Sequence, residues 1–322
     1  MFDLKKNFDI KNFKHEKSLF EKRLYEPYYA YLNETNDKFS ARSYLIELHA
    51  FSRNDIINFC SEMNIHSQLN HQSIVKFIGY SPVNFEDQPK PVIITEDYKS
   101  LEFDLLNNRH FVSTKKLICM YGIASAMAYL HSHNIVHHDL KLDNIFLDSN
   151  LYPKVGGFYL SQDLNKEELD KEQKRKIKGT PAYLAPEIYE GQKYDKHSDV
   201  YSYSLIIYEI LMKEKPYSNI NNISELRNKI IEDKYRPEIK KPIPNIYRNL
   251  LERCWSQNPN SRPTFEEILI ELKTNKEFIT EEIDEIEYRN YISFLDEYET
   301  SFDSNNRISV LDDIINYKLL DE

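Results

Sequence analysis

The chain has 322 residues, 41% of them hydrophobic, and a formal net charge of −10, enough material for one large core or two unequal ones. The charge is uneven: residues 278–322 carry 13 Asp and Glu against 3 Lys and Arg, leaving the first 277 residues balanced at 39 against 39. A body with no positive excess gives no electrostatic reason to bind nucleic acid, and no stretch reaches the ~18 apolar residues of a membrane span.

The N-terminal residues are punctuated by charge and lack the apolar run of a signal peptide. Up to about residue 98, YYAYL, FSARSYLIEL, IVKFIGYS and PVIITEDY are β-branched or aromatic runs separated by polar turns, which predicts strands. One helix interrupts them over 54–69, with Ile56, Ile57, Cys60, Met63, Asn64 and Ser67 at three- and four-residue steps as its inward face. After residue 101 the period lengthens: 117–133, 199–213, 243–255 and 264–274 read as helices, the last started by Thr264 with Glu267 three residues on. Beyond 278, Ile279, Ile283, Ile286, Tyr291, Phe294 and Tyr298 follow helical spacing with one slip, and Leu311, Ile314, Ile315 and Leu319 do so again. The acidic tail therefore carries apolar stripes, which favour docking of at least one tail helix on this body or on a protein partner. Cys60, Cys119 and Cys254 are odd in number and have no metal-ligand spacing, so they read as core thiols in a reducing compartment, cytoplasmic with the nucleus also open.

The chemistry concentrates in HSHNIVHHDLKLDN (131–144). Its histidines do not form a zinc pattern, because His131 and His133 diverge at a helix end and no cysteine or carboxylate joins them at ligand spacing. VHHDLKLDNIFLD instead resembles the catalytic loop of protein kinases. GTPAYLAPE (179–187) resembles the segment ending in A-P-E, CWSQNPNSRPTF supplies Arg262 opposite Glu187, and the C-terminal wording is most similar to the tyrosine-kinase-like branch of serine/threonine kinases. The match runs in family order from about Leu24 to Lys273. It implies an α+β, two-lobed protein kinase fold: an N-terminal extension at 1–20, a small β-rich N-lobe at 21–98, a larger helical C-lobe at 99–277, and the acidic tail at 278–322. It also implies ATP and magnesium as cofactors, Asp139 as catalytic base, Lys141 at the transferred phosphate and Asn144 as a metal ligand. Arg42 and Glu62 take the positions of the phosphate-anchoring lysine and its ion-pairing glutamate, and Thr95 that of the gatekeeper beside the hinge.

The departures from the family fall on nucleotide and metal handling. Thirteen residues beyond Asn144, where the D-F-G aspartate belongs, stands Gly157. The first 78 residues contain no glycine, so no glycine-rich loop exists to let backbone N–H groups approach phosphates. EKRLYEPYYAYL is expected in its place, with Pro27 lacking a donor. Arg42 keeps a charge but is no conservative stand-in for lysine. His138 replaces an arginine that in many members receives an activating phosphate, and Ser161 is the only hydroxyl of 161–178. The family's internal column would comprise His66, Phe77, Phe158 and His137, with His66 read as a solvated or hydrogen-bonded histidine. Two functions stay open. One is a pseudokinase acting in signalling as a scaffold or allosteric partner, with weak or absent ATP binding. The other is a divergent ATP-dependent serine/threonine kinase using Asp139 as base and Asn144 as its sole protein metal ligand.

Overall fold

The computed structural model describes residues 9–17, 25–102, 105, 111–165, 177–298 and the backbone of 301–302. The chain divides into two compact units, one of residues 1–98 with 300–322 and one of residues 99–299. A β-sheet lobe and a helical lobe make this the two-lobed protein kinase fold.

The first unit is built on a five-stranded antiparallel sheet in the order β1-β2-β3-β6-β5, with β1 Phe13–Lys17, β2 Tyr25–Leu32, β3 Lys38–Tyr44, β5 Phe77–Ser81 and β6 Val92–Glu96. Alternation sets its inner face: Tyr28 and Ala30 of β2 and Ala41 of β3 are buried with Ile10, Phe13, Val92 and Ile94. Two expectations are corrected here. The span read as an N-terminal extension contains β1, which pairs along its whole length with β2. Residues 25–32 of EKRLYEPYYAYL are a strand and not a loop over phosphates; the connection between β1 and β2 is 18–24, outside the described residues.

Helix α1, Arg53–His66, opens with a reciprocal capping box between Ser52 and Asp55. Its buried side is Phe59, Glu62, Met63, Ile65 and His66, whereas Ile56, Ile57, Cys60 and Asn64 are only half-buried. The expected face was rotated because Glu62, polar and wholly buried, is invisible to a hydrophobicity count. After α1 comes the two-residue strand β4, Leu69–Asn70, and the backbone of Ser301–Phe302 pairs antiparallel with it.

The second unit is organised around two helices that are apolar nearly all round, as buried helices are: α2, Ser113–Ser132, and α4, Lys196–Met212. Strand β7, Lys99–Ser100, precedes α2, and between α2 and α4 lie strands β8 Ile135–Val136, β9 Ile145–Leu147, β10 Pro153–Val155 and β11 Gln162–Asp163, and the short helix α3, Pro186–Tyr189. Helices α5 Ile223–Ile231, α6 Asn245–Cys254 and α7 Phe265–Thr274 follow, with α7 packed on α2 and started by the Thr264/Glu267 capping box.

Helix α8, Glu285–Glu297, is the first half of the acidic tail and packs on α2. Its buried residues are Tyr288, Tyr291, Ile292 and Leu295. Ile286 and Phe294, counted on the apolar stripe from sequence, are 74% and 40% exposed. Gly122, in the middle of α2, allows the contact: an added Cβ would overlap the Tyr291 hydroxyl and the Pro153 ring. The second stripe, 311–319, lies outside the described residues.

Candidate active site

In the first unit, β3 places Arg42 so that its Nη2 donates to Glu62 Oε1 at 2.8 Å. Glu62 is fully buried, and its second oxygen accepts from the Tyr44 hydroxyl at 2.9 Å. Burial opposes the Arg42 charge, but Glu62 together with the neighbouring Tyr98, Tyr25 and Tyr44 outweighs it and holds the guanidinium well above its ordinary pKa. The pair expected between these positions thus exists, locked by Tyr44, which the sequence reading missed. Committed in this way, Arg42 is a structural cation that clamps α1 to the sheet. Thr95 on β6 is buried opposite Ser40 and donates to its carbonyl at 3.3 Å. His66 is hydrogen-bonded and not solvated: Nε2 meets the Val75 carbonyl at 2.6 Å, its ring lies 5.4 Å from Phe77, and burial pushes its pKa down to about 4.

In the second unit the loop between β8 and β9 carries the acid–base residues. Asp199, at the start of α4, anchors it: the buried carboxylate accepts from His131 Nε2 at 2.9 Å and from the backbone N–H groups of His137 and His138 at 2.9 and 3.1 Å. Although burial works against its charge, these bonds from His131 and the loop hold the Asp199 pKa below the usual carboxylate value. His137 bridges to the next strand, with Nε2 at 2.9 Å from the Gly156 carbonyl and its ring 5.4 Å from Phe158.

Asp139, Lys141 and Thr180 then close on one another. Thr180 donates its hydroxyl to Asp139 Oδ1 at 2.6 Å, and Lys141 Nζ donates to Thr180 at 2.7 Å and pairs with Asp139 Oδ2 at 3.1 Å. The sequence reading did not assign Thr180 a place in this network, although a hydroxyl in the G-T-P turn was the available signal. Asn144 joins through its amide nitrogen, which donates to the Asp139 carbonyl at 2.8 Å and carboxylate at 3.2 Å. A carboxylate oriented by a hydroxyl and a cation can hold and accept a proton from an alcohol.

The metal side is different. Gly157 has φ +81°, a left-handed conformation. A Cβ built there would lie 2.5 Å from Asn144 Oδ1 and 2.7 Å from its Nδ2. The Asn144 side chain therefore occupies the space that any side chain at 157 would need. Magnesium usually takes one or two protein carboxylates in near-octahedral oxygen geometry; position 157 offers none and Asn144 turns its nitrogen to Asp139. These residues do not fit the metal. Among the described residues no group of three or more His, Cys, Asp or Glu could hold one either.

His138, at the phosphate-receiving position, is buried against Tyr194, the two rings tilted at 33° with centroids 4.1 Å apart. Burial pushes its pKa down to about 4, leaving a neutral ring. Ser161 is buried and donates to the His137 carbonyl at 3.2 Å; residues 166–176 are outside the described residues. Helix α3 is tied down by a bidentate pair, Arg262 Nη1 and Nη2 each donating to Glu187 at 2.7 Å.

Residues 39–272 match the family described as protein tyrosine and serine/threonine kinase. Similar proteins, all from Dictyostelium discoideum, include dual specificity protein kinase shkD, 34% identical over 68% of this chain and 29% of that protein. Dual specificity protein kinase shkA is 31% identical over 68% of this chain and 42% of its own length, and dual specificity protein kinase splA is 30% identical over 69% and 10%. The chain thus spans less than half the length of these relatives. Through the profile match over most of its length and the loop and strand geometry described above, the chain belongs to the protein tyrosine and serine/threonine kinase family.

Proposed function

We propose that this kinase-family protein is a catalytically impaired pseudokinase that acts in signalling by binding other proteins, as a scaffold or allosteric partner. The observation that carries the reading is Gly157, whose missing carboxylate is compounded by the Asn144 amide filling the space above it. The family implies ATP and magnesium; here ATP binds weakly and with little dependence on the metal. Phosphoryl transfer asks the protein chiefly for positioning and charge stabilisation. The Arg42 charge is spent on Glu62, and 18–24 contains no glycine to cradle phosphates. Protein partners are met through the acidic tail 278–322, and three free cysteines fit a cytoplasmic location.

The closed network of Asp139, Lys141 and Thr180 favours a second reading, a divergent serine/threonine kinase retaining its proton-handling half. Two measurements on the full chain separate them: thermal-shift titration with ATP, with and without magnesium, and radiolabelled phosphate transfer to a generic basic protein. The pseudokinase predicts a small, magnesium-independent shift and background transfer by the wild type, Gly157→Asp and Asp139→Asn alike. Gly157→Asp gains nothing because its Cβ strikes Asn144. Wild-type transfer well above background that Asp139→Asn abolishes would establish the divergent kinase instead.

A further inference from the structure

Side chains of an extended strand alternate between faces, so residues 95 and 98 would point to opposite sides if β6 continued. It does not. The strand ends at Glu96, and Asp97 is tied back to β3 by the Ser40 hydroxyl at 3.3 Å and by Lys38 Nζ at 3.1 Å. The chain bends there, and Tyr98 shares a hydrogen bond with the side chain of Thr95, three residues back. Tyr98 is half-buried, and its hydroxyl is the buried end. Burial pushes the hydroxyl pKa up to about 12, Tyr25 and Glu62 add to the rise, and the Arg42 charge and the Thr95 bond oppose it.

Those neighbours identify where the ring lies. Arg42 and Glu62 are the ion pair between β3 and α1, Thr95 is the buried residue at the gatekeeper position, and Tyr25 opens β2. Tyr25 also stands against the Arg42 guanidinium, whose carbon lies 5.4 Å from the ring centroid. In the family the lysine at the position of Arg42 meets the phosphates of the nucleotide. Here the cation at that place faces a carboxylate and two tyrosines. All five residues belong to the first unit, so the arrangement is complete within it.

We infer that Tyr98 is a built-in plug: its ring, held at the hydroxyl by Thr95 and flanked by Tyr25 and Arg42, fills the space beside the gatekeeper that a purine base would need. A flat aromatic ring with a hydrogen-bonding group at its far edge matches a purine in thickness and in edge polarity. Because this ring is tethered to the chain, a free base competes against an intramolecular occupant. The plug deepens the reading of weak ATP binding and rests on it, but sets the obstacle at the base and not at the phosphates or the metal.

Adenosine, which has no phosphate and needs no metal, is the probe. Calorimetric titration of the full chain should show Tyr98→Ala binding adenosine one-to-one and at least tenfold tighter than the wild type does. Tyr98→Leu, which removes the hydroxyl and the flat ring but keeps an apolar side chain, should gain in the same direction and covers a failure of Tyr98→Ala to fold, with unfolding curves checking both. Thr95→Met added to Tyr98→Ala refills the space from the gatekeeper side and should abolish the gain, which locates the binding. Adenosine binding to the wild type as tight as to the folded variants, or a gain that Thr95→Met leaves intact, would overturn the plug. Phosphate transfer is read separately. Background transfer with no gain in Tyr98→Ala would discard the plug and leave the pseudokinase standing, whereas transfer by the wild type would discard the pseudokinase whatever adenosine does.

Discussion

Removing the Arg262 guanidinium should be among the most damaging single changes in the second unit. Its side chain is wholly buried and Glu187 is 5% exposed. Besides the two bonds to Glu187, Nε donates to the Ser256 carbonyl at 2.9 Å and Nη1 to the His197 carbonyl at 3.0 Å, and the plane lies over the Tyr201 ring. In Arg262→Ala the carboxylate keeps only the Ser198 hydroxyl, at 3.2 Å. Breaking a buried pair from one side costs about 3–5 kcal/mol, a large part of the ~5–15 kcal/mol that holds a domain folded. For a unit of this size, ~2–4 °C per kcal/mol gives a fall in melting temperature of about 6–20 °C. Differential scanning calorimetry of Arg262→Ala, together with the double-mutant cycle of Arg262→Met, Glu187→Leu and Arg262→Met/Glu187→Leu, measures the loss and the coupling. The double variant should lose less than the sum of the single losses, because no charge is left uncompensated. An unchanged midpoint in Arg262→Ala, or strictly additive losses, would refute the pairing as a source of stability.

Acidification should destabilise the protein through His66 and His138. Both have folded-state pKa values near 4 against 6.5 in the open chain, so between those values the unfolded state binds more protons and stability drops as the pH is lowered. Each histidine contributes up to about 3 kcal/mol over the window. Glu209, raised by burial to about 8, works the other way above pH 4.5, losing stability as pH rises, but one group opposes two. Urea unfolding from pH 4 to 7 should show a rising slope that His138→Asn reduces; an identical slope in the variant would rule out the buried neutral ring. Gly122→Ala should gain up to ~1 kcal/mol in helix propensity yet lower the melting temperature, because its Cβ strikes Tyr291. Hydrogen exchange should then show α8 amides losing protection, and a raised melting temperature would mean that α8 does not pack on α2.

Much of the scaffold was legible because it rests on residue types at fixed spacings. Asp139, Lys141 and Asn144 are brought together by a single turn, and a glycine at 157 excludes a carboxylate whatever the backbone does. Arg42 and Glu62 could be paired from their motifs alone. Strand β1 was missed because FKHEK buries only Phe13, and an edge strand with four exposed polar residues has no period to detect. The tail helix was found with the wrong face: Tyr288, wholly buried with its hydroxyl bonded to the Leu272 carbonyl at 2.9 Å, looks less apolar than Ile286, which points outward. The position of the Asn144 amide above Gly157 depends on a side-chain rotamer, which no spacing rule reaches.

The preserved contacts have a common property that bears on function. Asp199 ordering the loop, His137 reaching Gly156, Glu62 held by Arg42 and Tyr44, and Glu187 held by Arg262 are all satisfied within the protein and require no nucleotide. The altered positions are those that in the family meet a phosphate or a metal: 157, 138, the glycine-free 18–24, and 42, where arginine stands for lysine. Each altered position described here has been closed by a neighbour, Gly157 by Asn144 and His138 by Tyr194. At 157 no carboxylate is left to await a metal; at 138 burial leaves a neutral ring against Tyr194 whose two nitrogens have no hydrogen-bond partner among the described residues, and burying such polar atoms carries a cost.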